Sequence, residues 1–91
     1  MKRCFIITFD LKNPGMNQDK LVASIKTATS WARLGTNSFV VLTEKDAVAI
    51  RDIFLKLLYQ GDKIYIAKLN TSAAWYGLGE EVSNWLRNNQ K

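Results

Sequence analysis

The chain has 91 residues, a net charge of +5, a single cysteine (Cys4) and no histidine. That length holds one domain, residues 1–91. The missing histidine excludes Ser-His-Asp and Cys-His catalysis and the usual nitrogen–sulfur zinc sites, and the lone cysteine excludes an internal disulfide.

In chain order, Arg3 to Asp10 (RCFIITFD) alternates as a strand. Phe5, Ile7 and Phe9 fall on one face; Cys4, Ile6, Thr8 and Asp10 fall on the other. Both faces are largely apolar, so each needs cover, from the C-terminal segment or from a second subunit. Two such faces meeting on a two-fold axis would form a homodimer. Asn13-Pro14-Gly15 is a turn: Pro14 presets its own φ, and Gly15 accepts a positive one. A first helix is expected with Asn17 as N-cap, Met16 and Leu21 as a hydrophobic staple, and an end near Thr29 or Ser30. Leu21, Ile25, Ala28 and Ala32 would share its inner face.

Trp31 to Leu34 reads as a strand, Gly35-Thr36-Asn37 as a turn, and Ser38 to Leu42 as the next strand. Thr43 is the expected cap of a second helix, with Asp46 in place of the usual Glu. Its apolar face is Ala47, Ile50, Ile53, Phe54, Leu57 and Leu58, closed by Gly61 and Asp62. Lys63 to Leu69 (KIYIAKL) is a further strand. A looser stretch, 70–79, holds Trp75 and Tyr76. Glu80 to Asn88 predicts a final helix with Val82, Trp85 and Leu86 inward and two glutamates in its first turn. Strand, helix, strand, strand, helix, strand is the order of a ferredoxin-like α+β fold, here with an added C-terminal helix. No apolar run is long enough to span a bilayer, and the N-terminus has no small-residue cleavage site, so a cytoplasmic protein with no membrane partner is expected.

Charge is unevenly spread. Residues 1–43 carry Lys2, Arg3, Lys12, Lys20, Lys26 and Arg33 against Asp10 and Asp19. A basic half suggests an anionic partner, nucleic acid or nucleotide; the alternative is plain solubility. The candidate anion site is where Lys12, Gly15 and the start of the first helix meet, since a helix start offers free amides. Arg33 beside Trp31, with Ser38 across the turn, and the Trp75-Tyr76 pair are candidates for stacking and phosphate contact; packing is the competing role for the tryptophans. Asp10, a carboxylate at the tip of an apolar strand, is a candidate metal ligand if two copies meet, and otherwise a loop cap.

The Phe9–Gly15 run (FDLKNPG), Ser30-Trp31, Gly35 to Phe39 (GTNSF), Asp62 to Leu69 (DKIYIAKL), Ala73 to Gly77 (AAWYG) and Glu80 to Leu86 (EEVSNWL) carry a resemblance. Together they resemble the small second CRISPR-associated protein, an endoribonuclease-like superfamily. They are more similar to a short prophage and bacterial group often labelled SinR-family. Phe9 precedes Asp10 where the family carries Tyr or another polar aromatic residue. The resemblance implies a ferredoxin-like homodimer with one of three roles. It would be a non-catalytic binder of nucleic acid or a signalling nucleotide, with no cofactor. It would be a nuclease with Mg or Mn at Asp10 paired across the dimer. Or it would be a phage-encoded counter-defence protein that sequesters a cyclic nucleotide.

Overall fold

The computed structural model describes residues 2–70 and 72–90. The elements run β1 (Arg3–Asp10), α1 (Pro14–Ile25), β2 (Ser30–Gly35), β3 (Ser38–Thr43), α2 (Ala47–Leu55), β4 (Lys63–Leu69) and α3 (Gly79–Asn89). The four strands form one sheet in the order β2-β3-β1-β4. Every neighbouring pair is antiparallel. The molecule is thus an α+β fold with three helices on a single antiparallel sheet.

The period of two in β1 becomes two cores. Phe5, Ile7 and Phe9 join Phe39 and Val41 of β3 under Leu21 and Ile25 of α1 and Ile50 and Phe54 of α2. On the opposite face Cys4 and Val40 pack beneath Leu86 of α3, with Ile6, Leu34, Leu69, Val82 and Trp85 around them. The C-terminal helix therefore supplies the cover that β1 requires. The two-fold stacking of bare faces expected from the sequence loses its reason, because Leu86 already occupies that side of the sheet. Burial there also pushes the Cys4 thiol above its ordinary pKa, which leaves it an inert core group.

Several local expectations shift. The first helix starts at Pro14, whose missing N–H costs nothing at that position, and its N-cap is Asn13 without a side-chain bond. Asn17 does not cap: it is buried and reaches to a distant loop, as described below. The helix stops at Ile25. Thr27 then folds back, its Oγ1 donating to the carbonyl of Ser24 at 2.6 Å. Ala32 consequently belongs to β2 and pairs with Val40, not to the face of α1. The cap of α2 is Asp46, whose Oδ1 accepts from the Ala49 amide at 2.9 Å. Thr43 is the buried last residue of β3, its hydroxyl accepting from the Lys45 amide. Trp31 is a packing residue: its ring lies 6.3 Å from that of Phe39, and Lys26 Nζ sits 4.9 Å above it. Among the described residues no helix is long and apolar enough to cross a membrane.

Candidate functional site

β1 ends, β4 begins and the β2–β3 hairpin turns at the same end of the sheet. Asp10 pairs with Lys63 and Thr8 with Tyr65. Thr8 also pairs with Ser38, and their hydroxyls meet at 3.2 Å. The hairpin is pinned there: Phe9 N donates to Asn37 O at 3.1 Å, and Gln18 of α1 donates to Asn37 Oδ1 at 2.8 Å.

Of the residues expected to bind, Asp10, Lys12, Gly15 and Ser38 come to this end. Arg33 comes to it on the other face, stacked 5.1 Å from the Phe39 ring. Its guanidinium is spent on its own turn, donating to Gly35 O at 3.1 Å and Thr36 O at 2.8 Å. Trp75 belongs to the core under α3, where its indole N–H donates to Ser83 at 3.0 Å. Tyr76, its neighbour, is 98% exposed.

The Lys12 amide, just ahead of α1, is taken from within. The Asp62 carboxylate accepts from the Lys12 amide at 2.9 Å, from Asn17 Nδ2 at 2.9 Å and from the Tyr59 amide at 2.8 Å. Asn17 donates from the same Nδ2 to Leu57 O at 2.7 Å, so one buried amide ties α1 to the α2–β4 loop. Gly61 makes the close approach. At φ +92° it lies against Lys12, and a Cβ there would meet Lys12 Cδ at 3.0 Å. An external anion reaching for the Lys12 amide would meet the charge of Asp62. Gly15 has nothing within 4 Å of where a Cβ would stand, so no close approach demands glycine there.

The three donors, Tyr59 first, then Lys12 and Asn17, hold the Asp62 carboxyl below the usual aspartate range. Their contribution to stability is complete above the pH at which a free aspartate ionises, about 4. It drains away as pH falls through the lower folded value. Thermal unfolding followed from about pH 6 down to about pH 2 should therefore show Asp62→Asn less stable than the parent at the upper end, with the gap closing toward the lower. A gap independent of pH would mean that the charge on Asp62 contributes nothing.

Asp10 stands exposed at the tip of β1. Its direct cross-strand neighbour is Lys63, whose ammonium opposes a cation. Among the described residues no group of three metal-ligating side chains converges. What the sequence reading missed is the strip beside it. Tyr65 stands 64% exposed on the face that α3 leaves bare at this end. Lys63 is next on that face, Thr8 lies directly opposite, and Ser38 lies beyond it. A groove of about 180 Å³ runs along Thr8, Asp10, Lys63 and Tyr65. Alternation along KIYIAKL puts Tyr65 and Lys63 on one face, but their exposure depends on where α3 stops. Comparison with family models, curated proteins and solved structures finds no significant match to the chain.

Proposed function

We propose that this chain is a small, non-catalytic binder of phosphate-bearing ligands, nucleic acid or a signalling nucleotide, working as a homodimer of ferredoxin-like subunits. The strand order β2-β3-β1-β4, antiparallel throughout, supports the ferredoxin-like reading, in which α3 would be the added helix. The observation that carries the binding reading is the strip of Tyr65, Lys63, Thr8 and Ser38. An aromatic ring on an open sheet face offers a plate for a base, and a lysine beside it meets the phosphate. The hydroxyls supply hydrogen bonds to sugar or base edge. The surface charge supports the same reading. The net charge of +5, which no ion pairing within the chain can cancel, favours anionic ligands.

Fluorescence titration of a single-stranded oligonucleotide and of a labelled mononucleotide, each at low and high salt, tests this. Stacking of one base on one ring is worth about 1–3 kcal/mol, so Tyr65→Ala should weaken binding about five-fold or more. Lys63→Glu should weaken it and flatten the salt dependence, by about 0.7 in the logarithmic slope per single-strand phosphate lost. Binding of neither ligand at low salt, or binding indifferent to both substitutions, overturns the proposal.

A further inference from the structure

The two edges of the sheet differ. β2 is blunted: its register slips between Arg33 and Gly35, Arg33 folds over the hairpin, and Trp85 of α3 donates to Ser30 at 2.7 Å. β4 is regular along its whole length, paired with β1 from Cys4↔Leu69 to Asp10↔Lys63. Among the described residues no strand lies on its other side. Such an edge is a row of unpaired amides and carbonyls ready for another strand. Beside it, a groove of about 260 Å³ lies between β4 and α2, lined by Ala47, Val48, Arg51, Ile64, Tyr65 and Ile66. Val48 on its rim is 55% exposed.

We infer that this edge is where a second copy of the chain docks, β4 pairing antiparallel with β4 of the second copy in the register that sets Tyr65 opposite Tyr65. The inference rests on the homodimeric binder proposed above and names its interface. A two-fold axis perpendicular to the sheet preserves the face of every side chain, so it must pass through a residue facing itself. Centred on Tyr65, the pairing sets Ile64 against Ile66 of the second copy on the helix side of the sheet. It sets Lys63 against Ala67 of the second copy on the other side. One residue beyond the strand, it sets Asp62 against Lys68 of the second copy. Ile64 and Ile66 then meet their like and Lys63 meets a methyl group. Lys68 of the second copy approaches the loop where Lys12, Asn17 and Tyr59 hold the Asp62 carboxylate, so that pair attracts by charge across a gap and not by a direct bond. Centred on Ile66 instead, Lys68 faces Ile64 and Lys63 faces Leu69, and the charge pairing is lost. Centred on Ile64, Asp62 faces Ile66. The sequence of the edge is self-complementary in the Tyr65 register, and the lysines that would otherwise guard it are matched. The dimer joins the two sheets and sets two tyrosine plates side by side at the axis, with a Lys63 on either flank. The second copy thereby completes the binding strip.

Light scattering at about 50 µM, without ligand, should give the mass of a dimer. Lys68→Glu puts like charges opposite one another at both ends of the pairing and should shift the protein to monomer at that concentration. Circular dichroism checks that this exposed substitution leaves the fold intact. Tyr65→Cys should give a covalent dimer under mild oxidation or with a short bis-maleimide, since opposed side chains at an axis lie within linking distance. Met16→Cys, on α1, should not. The native thiol, Cys4, is buried and stays out of the reaction. A monomer at this concentration overturns the interface, and a dimer that Tyr65→Cys fails to link overturns the register. Because these readouts need no ligand, they separate from the binding proposal. A monomer that binds nucleotide rejects the interface alone, and a cross-linked dimer that binds nothing rejects the ligand reading alone.

Discussion

Phe39→Ala is expected to lower the stability of the folded chain by about 3–5 kcal/mol, the usual cost of emptying a fully buried aromatic site. Phe39 is wholly inaccessible to solvent. It pairs with Ile7 of β1 and Arg33 of β2 across the middle of the sheet, and it carries Trp31 against its ring and Arg33 above it. Truncation leaves a void bounded by strands that cannot move together without breaking their ladders, so the site collapses little. Domains of this size have a total stability near the low end of about 5–15 kcal/mol. The variant should therefore be partly unfolded at room temperature. Urea denaturation read by tryptophan fluorescence measures it directly. A loss under about 1 kcal/mol would mean that the core on this face is not packed as described.

Leu86→Ala is the second large effect, about 2–5 kcal/mol. Leu86 is the one fully buried residue of α3 and the point at which that helix meets Cys4 and Val40. Without it the half-buried Val82 and Trp85 remain, but the helix loses its deepest contact and the sheet face beneath becomes wettable. Arg87→Ala, one position away and exposed, is the control and should stay within about 0.5 kcal/mol of the parent. If both substitutions cost the same, α3 is not seated on its Leu86 side.

The strands were legible because alternation is local. RCFIITFD and KIYIAKL state their period of two in the residues themselves, and Val82, Trp85 and Leu86 state the stripe of α3. Three things were not legible, each for a long-range reason. The face that α3 covers follows from the path of the 70–78 loop, on which periodicity is silent. Asn17 has the chemistry of a cap and stands where a cap would serve. Asp62, far along the chain, recruits it as a donor, and only the folded chain brings the two together. The carboxylate that comes to rest beside Lys12 is hidden in the sequence for the same cause. Tyr65 lay in plain view on a correctly read strand. It went unremarked because an aromatic residue on a strand is ordinarily core, and the bare end of the face appears only once α3 is in place.

β1 is the first of the four strands in chain order and, like β3, an interior one, flanked by β3 and β4. During synthesis it emerges with no strand to pair with. β3 must follow before its first ladder closes, and β4 before its second. Until then its apolar residues on both faces are open to other chains, the situation in which nascent proteins aggregate or recruit chaperones. Hairpin β2–β3 can zip locally, but the sheet as a whole waits on contacts between distant parts of the chain, which slows folding. Placing an interior strand ahead of both its neighbours therefore makes the production of this fold a race between completing β4 and capture of β1 by another chain.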